Sequence, residues 1–390
     1  MRVCHVWQNF FPLEGGGLER YIIDLSDYLS QRNPDTHFLL LTNKSRIPFL
    51  RARKIPKYQR FNSLEVYRMG PNLLSVFENV LLQWFRIQSR LLDNVSTLTL
   101  YHEVTSWREI NNIDIFHVHG IWDTRCPIIG LLLSQRFHRP LVVSLHGDMV
   151  GSLAYQMPLE RPESTEVLKH AKAIITYSRK VLNALNACGL GYKSHLIPNF
   201  VNVGLFSRPT SLNGGVGTKV VMVSRLDPFK DPITVIQAFR YVKNEVPEAT
   251  LQVVGYGQLY DRLKLLIHTL HLDDAVFLLG RQTNVKRFLW NNDIFVTGDA
   301  YISVLEAWSA GLAVIATDAE TNRQIISNGK DGILVPPKNP QKLASALLKI
   351  MKNNKLRIAL ASNGLETAKS YDISSVAPMV ASIYESVLEK

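Results

Sequence analysis

The sequence predicts an α/β protein made of two doubly wound parallel sheets, and three observations carry that expectation. Short apolar, β-rich runs alternate with helical patterns from end to end. Most of these runs are continuously apolar, which marks strands covered on both faces by crossover helices. The chain of 390 residues exceeds what one hydrophobic core organises, and "SRPTSLNGGVGT" (207–218), rich in Gly, Ser, Pro and Thr, divides the pattern in two.

In the first half the strand candidates are "RVCHVW" (2–7), "THFLLLT" (36–42), "IDIFHVH" (113–119), "LVVSLH" (141–146), "AIITYS" (173–178) and "HLIPN" (195–199). The second half offers "KVVMVS" (219–224), "TLQVVG" (250–255), "AVFLLG" (275–280), "DIFVTG" (293–298), "LAVIATD" (312–318) and "GILVPP" (332–337). Helical patterns follow near 340–353, 355–369 and 373–389. The expected division is a first domain over 1–200, a linker over 201–217 and a second domain over 218–370. A final helix over 371–390 is expected to pack back toward the first domain. Two such domains facing each other make a deep cleft lined by the carboxyl ends of both sheets, where ligands of doubly wound folds bind. The chemistry is therefore sought in strand-to-helix loops.

Hydrophobic content is 46% and charged content 20%, an ordinary globular composition. No apolar run reaches the roughly 18 residues of a membrane span, and "MRVCHVWQNFF" lacks a signal-peptide core. Cys4, Cys126 and Cys188 have no paired or metal-ligand spacing, so a reducing, cytoplasmic setting is expected. Much of the net charge of +11 lies in "KSRIPFLRARKIPKYQR" (44–60). There Arg51, Arg53, Lys54 and Lys57 interleave with apolar residues. This mixture suits the anionic inner face of a cell membrane as well as it suits a solvated basic loop. No nucleic-acid module accompanies it, and nucleic acid is not expected as a partner.

Six loops in the pattern carry candidate chemistry. "NFFPLEGGGLER" (9–20) puts Gly16 and Gly17 before a helix start, where glycine lets backbone approach an anion and also makes tight turns. "VSRLDPFKD" (223–231) places Arg225 and Lys230 at a strand end, a planar fork and a point charge for two phosphates. "VVGYGQ" (253–258) supplies Gly255, and "LLGRQTN" (278–284) supplies Arg281, with Thr283 or Asn284 able to cap the next helix. His146 ends a strand beside Gly147 and Asp148, suited to hydrogen bonding or proton transfer. His117 and His119 share a strand face, but without neighbouring acidic residues no metal site is expected there. In "TGDAYISVLEAWSAG" (297–311), Ser303 and Glu306 have capping-box spacing, and Gly311 has the place of a left-handed helix stop.

Taken in order, these pieces resemble the retaining glycosyltransferases of the GT-B fold, family 4. The landmarks are "GGGLER", "SLHGD", "IPNFVNVGLF", "VSRLDPFKD", "VVGYGQ", "LLGR", "VLEAWSAGLAVIATD" and "GILVPP", which span nearly the whole chain. The resemblance implies a nucleotide-diphosphate sugar, GDP-mannose or a UDP-hexose or UDP-HexNAc, bound mainly by the second domain. It implies an acceptor bound mainly by the first. Arg225 and Lys230 would hold the diphosphate, Glu306 the ribose hydroxyls, and Tyr301, Ile302, Ser303 and Val304 would offer amides to phosphate and sugar. His146 would contact the transferred sugar, and Arg281 would lie by the base. The family's usual E-x7-E arrangement is broken here, because Gly298 stands where the first glutamate belongs, with Asp299 beside it as the stand-in. Gln324 likewise occupies a commonly acidic position.

The chemistry implied is loss of a nucleoside diphosphate with retention at the anomeric carbon, by front-face attack. No Asp-x-Asp cluster flanks these loops, so neither a metal nor another cofactor is expected. Arg51, Arg53, Lys54 and Lys57, with "VLLQWFRIQSRLL" (80–92), suggest a lipid-linked or envelope-glycan acceptor and peripheral membrane association. Two other readings stay open at this point: a catalytically impaired homologue acting as a partner, and a sugar-nucleotide epimerase on the same fold.

Overall fold

Parallel strands and helices account for most of the apolar runs among the described residues, which in this computed structural model are 1–8, 17–43, 55–70, 90–121, 125–146, 162–209 and 217–389. The described residues form two compact units, Met1–Pro198 with Ser374–Lys390, and Asn199–Ile373.

The first unit is one eight-stranded sheet: β1 (Arg2–Val6), β2 (His37–Asn43), β3 (Tyr58–Phe61), β4 (Leu64–Met69), β5 (Ile115–His119), β6 (Leu141–Leu145), β7 (Ala173–Thr176) and β8 (Ser194–Leu196). Their order is β3-β4-β2-β1-β5-β6-β7-β8. All neighbours pair in parallel except β3, which runs antiparallel on β4. This hairpin corrects the expectation of a uniformly parallel sheet and turns the end of the basic stretch into an edge strand. Its two-residue turn is Asn62–Ser63, with Asn62 left-handed at φ 50°. Asp27 fixes the turn by accepting from Asn62 Nδ2 at 2.6 Å and Ser63 N at 3.0 Å. The core beneath the sheet gathers Val6, Phe116, Val118, Ile129, Leu133 and Val143. Tyr384, from the helix Ile373–Leu388, is fully buried in this same unit.

The second unit is a six-stranded parallel sheet: β9 (Lys219–Val223), β10 (Thr250–Val254), β11 (Val276–Leu278), β12 (Ile294–Thr297), β13 (Ala313–Thr317) and β14 (Ile333–Val335). Its order, β11-β10-β9-β12-β13-β14, places the first strand of the unit beside the fourth. The sheet is wound outward in both directions from that pair, so a crevice opens where β9 and β12 end. In the first unit the corresponding reversal lies between β1 and β5.

The break between units falls at Pro198 and Asn199, earlier than the 201–217 linker read from composition. Val201 bridges to Asp372, donating its amide to Tyr371 O at 3.0 Å and accepting from Ile373 N at 2.9 Å. Asn202 then caps the short helix Val203–Phe206 through Leu205 N. Residues 201–206 are thus folded into the second unit. Of the stretch read as linker, 210–216 lies outside the described residues.

Candidate functional site

The site is built at the reversal of the second sheet, from the loop after β9 and the segment after β12. The β9 loop leaves as Ser224-Arg225-Leu226 and is laced to the next strand-to-helix loop. Ser224 N donates to Val254 O at 3.1 Å, Leu226 N to Tyr256 O at 3.2 Å and Leu259 N to Leu226 O at 3.0 Å. Such close backbone approach explains the G-x-G. A Cβ on Gly255, where φ is 144°, would overlap Ser224 O and lie 2.9 Å from its carbon, while one on Gly257 would sit 2.7 Å from Leu226 backbone. Gly255 therefore lets the Arg225 loop pack directly on its backbone.

Arg225 is 71% exposed and pairs with Asp227 across its own loop. A short 3₁₀ turn, Pro228–Lys230, then swings Lys230 inward, ending at Asp231 in the left-handed region (φ 49°). Lys230 Nζ donates to the backbone carbonyl of Asp299. Burial pushes the Lys230 ammonium below the usual lysine range, and neighbouring Arg225 adds to that shift, while Asp299 and Asp227 oppose it. The structure thus holds a half-desolvated cation beside a second cation, a pair that an incoming dianion would relieve. The exposed ring of Phe229 lies near both, 5.8 Å from the guanidinium carbon and 5.0 Å from the ammonium.

Gly298 explains the broken E-x7-E spacing. A Cβ there would overlap Lys230 O and stand 2.6 Å from the Lys230 carbonyl carbon. The Lys230 turn has closed over the place where a glutamate side chain would start. Asp299 reaches Lys230 through its main-chain carbonyl.

Sequence reasoning missed Asn322. It is fully buried, and its Nδ2 donates to Gly298 O and Thr317 O, each at 2.7 Å. Its Oδ1 accepts from Ala300 N at 3.1 Å. One side chain thereby fixes the loop whose next carbonyl orients Lys230. The signal was available as an asparagine two positions before Gln324, within the short helix Glu320–Arg323, but nothing in the local pattern tied it to residues 298–300.

The helix Ile302–Ser309 buries Val304, Leu305, Ala307 and Trp308 and leaves Ile302, Ser303 and Glu306 part-exposed on one face. Trp308 anchors it, donating Nε1 to Asp331 O at 2.9 Å and packing where a Cβ on Gly364 would collide with the indole. Tyr301 occupies the cap position and no side chain caps the helix. Ser303 is inside the first turn, so the capping box that its spacing to Glu306 allowed does not form, because that motif needs the serine one step outside. Val304 N is already taken by Tyr301 O at 3.1 Å, which leaves Ile302 and Ser303 as the amides at this helix start without a backbone acceptor among the described residues. The other end matches its motif. Gly311 (φ 75°) donates to Trp308 O at 2.9 Å and Leu312 N to Ala307 O at 3.0 Å, a Schellman pair.

Arg281 is exposed just past β11, after Gly280 in the left-handed region. The next helix starts at Lys286 with Val285 in the cap position, so Thr283 and Asn284 do not cap it.

In the first unit, Gly17 begins the helix Gly17–Arg32, while Gly16 lies outside the described residues. Glu19 of that helix is buried and accepts from Trp7 Nε1 at 3.2 Å. His146 follows β6 directly and is joined to His119 at 3.0 Å, while Gly147 and Asp148 lie outside the described residues. Lys57 pairs with Glu103 at 2.9 Å and lies over the Tyr67 ring, held by its own unit. Arg51, Arg53, Lys54 and residues 80–89 lie outside the described residues. Among the described residues no helix is long and apolar enough to cross a membrane.

A family model described as Glycosyl transferases group 1 matches residues 209–367, and one described as Glycosyltransferase Family 4 matches residues 15–205. The phosphatidyl-myo-inositol mannosyltransferase of Mycolicibacterium smegmatis is 25% identical over 299 residues, covering 74% of this chain and 75% of that protein. An Escherichia coli enzyme, UDP-Gal:alpha-D-GlcNAc-diphosphoundecaprenol alpha-1,3-galactosyltransferase, is 28% identical over 183 residues, 43% of this chain and 47% of its own. The crystal structure of Anabaena HepE with UDP and glucose matches with a TM-score of 0.75 at 19% identity, over 99% of this chain and 100% of that one. At that identity the likeness speaks for the fold alone.

Proposed function

Because the chain belongs to the group 1, family 4 glycosyltransferases and has their GT-B fold, we propose that it moves a sugar from a nucleotide-diphosphate sugar to a lipid-linked or envelope-glycan acceptor, with retention at the anomeric carbon. One observation carries this reading: Arg225, Lys230 and the start of the helix Ile302–Ser309 converge where the second sheet reverses. In the transition state negative charge collects on the departing diphosphate. Lys230, set in advance on the Asp299 carbonyl, meets that charge without reorganising, and each such donor contributes several kcal/mol (about 3). Arg225 exchanges Asp227 for phosphate oxygens, and the amides of Ile302 and Ser303 add the positive end of their helix. Glu306, on the same face as Ser303, takes the ribose diol. His146 meets a hydroxyl of the transferred sugar. The protein's own cations balance the diphosphate, so the reaction is proposed to run without a metal or other cofactor.

The names of the mannosyl- and galactosyltransferase relatives, a phosphoinositide and a diphosphoundecaprenol acceptor, support a lipid-linked acceptor here. A cytoplasmic, membrane-peripheral location follows from that acceptor class, with Arg51, Arg53, Lys54 and Lys57 as the candidate lipid contacts.

Calorimetry with UDP and GDP, paired with transfer assays from their sugars with and without EDTA, tests the reading. Wild type is expected to bind one of the two nucleotides, Arg225→Ala and Lys230→Ala to weaken it at least about tenfold, and transfer to survive EDTA. Tight nucleotide binding with no transfer from any donor would make the chain a non-catalytic relative. Epimerised donor in the absence of acceptor would make it an epimerase.

A further inference from the structure

The first unit holds four imidazoles where its sheet reverses. His5 on β1 and His117 on β5 are register partners, His119 follows on the same face of β5, and His146 lies one residue past β6. His5 and His117 are fully buried and His119 nearly so. The rings stand 4.2 Å apart for His117 and His119, 5.0 Å for His5 and His119, and 5.2 Å for His119 and His146.

Two chemistries suit such a cluster. Ring nitrogens of His5, His117 and His119 lie within 4.8 Å of one another, which raises the question of a shared metal ion. But His5 Nδ1 and His119 Nε2 are 2.8 Å apart, closer than the about 3.3 Å between two nitrogens on a tetrahedral zinc at 2.0–2.1 Å. Both nitrogens of His117 are engaged, one by Tyr384 OH and one by Ser144 Oγ, each at 2.7 Å. The geometry is that of a hydrogen-bonded chain running His5 Nδ1 to His119 Nε2, then His119 Nδ1 to His146 Nε2.

Each link needs one N–H and one bare nitrogen. Burial pushes the three buried imidazoles down, His5 to about 3, so each is neutral and carries one ring proton. Only two proton arrangements then satisfy both links, and His5 Nε2 distinguishes them, because it is buried and meets no hydrogen-bond partner among the described residues. In one arrangement it carries an N–H with no acceptor. In the other it is bare, His5 donates to His119, and His119 donates to His146. Stranded buried N–H groups are the rarer and costlier of the two. We propose that His5 and His119 are positioning residues that hold the ring proton of His146 on Nδ1, making it a hydrogen-bond donor to a sugar oxygen and denying it the role of general base through that atom. This rests on the reading of His146 as a sugar contact.

The test uses the full chain labelled with [15N]histidine, His146 being assigned by the signal lost in His146→Gln. Long-range 1H–15N spectra are expected to show His146 protonated on Nδ1 in wild type. His5→Phe, which removes the chain's first donor, is expected to shift His146 to mixed tautomers. His5→Asn, whose amide N–H stands where Nδ1 stood, is expected to restore the wild-type form. The preference for UDP-glucose over UDP, or GDP-mannose over GDP, is expected to fall about five- to tenfold in His5→Phe, the weight of one hydrogen bond. An Nε2–H His146 in wild type, a tautomer indifferent to His5→Phe, or one zinc per chain after dialysis would overturn the proposal. If His146→Ala leaves that preference unchanged, the sugar-contact reading fails, and the spectra alone still judge the chain.

Discussion

Restoring the glutamate that the family pattern has at position 298 is the sharpest test of how the diphosphate site is built. By analogy, Gly298→Glu should strengthen sugar binding; by the structure, it should damage the site. The new Cβ would stand 2.6 Å from the carbonyl carbon of Lys230 and overlap its oxygen. Ordinary carbon contacts need about 3.5 Å, so the Lys230 turn must retreat by roughly 1 Å. The turn also carries Lys230 Nζ to the Asp299 carbonyl, and moving it loosens that bond. Overpacking of this kind costs about 1–3 kcal/mol, which lowers the melting temperature by roughly 2–4 °C per kcal/mol for a domain of this size. A misplaced cation weakens UDP or GDP at least about tenfold. Differential scanning calorimetry and isothermal titration on the full chain read both quantities. Gly298→Ala carries the same Cβ and is expected to share most of the loss, which separates the clash from any effect of the carboxylate. A Gly298→Glu protein that melts within a degree of wild type and binds nucleotide equally well would refute the reasoning.

Asn322→Ala is expected to lower stability in urea by about 2–4 kcal/mol, because Gly298 O, Thr317 O and Ala300 N lose a buried partner together, and to weaken nucleotide binding with it; a change below about 0.5 kcal/mol would contradict the clamp. Gly255→Ala should cost at least about 1 kcal/mol, since φ 144° and the Ser224 carbonyl both oppose a side chain, and a melt indistinguishable from wild type would count against that packing. Burial raises Asp24 to about 6 from an ordinary 3.8, Asp27 adding to the rise and Arg20 opposing it. The folded state therefore keeps a proton that the unfolded chain has released, and stability falls as pH rises from about 4 to 6. Asp24→Asn should stabilise by at most about 3 kcal/mol at pH 8 and by nothing near pH 3.5, so an equal gain at both pH values would exclude that cause.

The two parallel sheets were legible because the middles of their strands are buried on both faces and must therefore be apolar, as "VVM" of β9 and "IFV" of β12 are. The hairpin of β3 and β4 was not, because "YQRF" is a half-exposed edge strand carrying charge and sits inside a basic run. Lys230 and Arg225 could be picked out by their place at a strand end. Asn322 could not, since its partners lie 22 and 24 residues upstream in another loop. The Ser303–Glu306 spacing left two readings open, and the structure removes the cap, because the helix begins at Ile302 and so takes Ser303 into its first turn. The glycines at 255 and 298 were noticed as signs of ligand approach or a missing acid, and both turn out to admit neighbouring backbone.

Tyr384 reaches His117 from a segment synthesised after the whole of the second unit. The first unit is therefore interrupted in the chain, while the second is continuous. On the ribosome the order of completion is reversed: the later-encoded sheet can finish folding while the earlier one still waits for its closing helix. Until that helix arrives, His117 on β5 lacks the tyrosine hydroxyl that engages its Nδ1 in the finished unit.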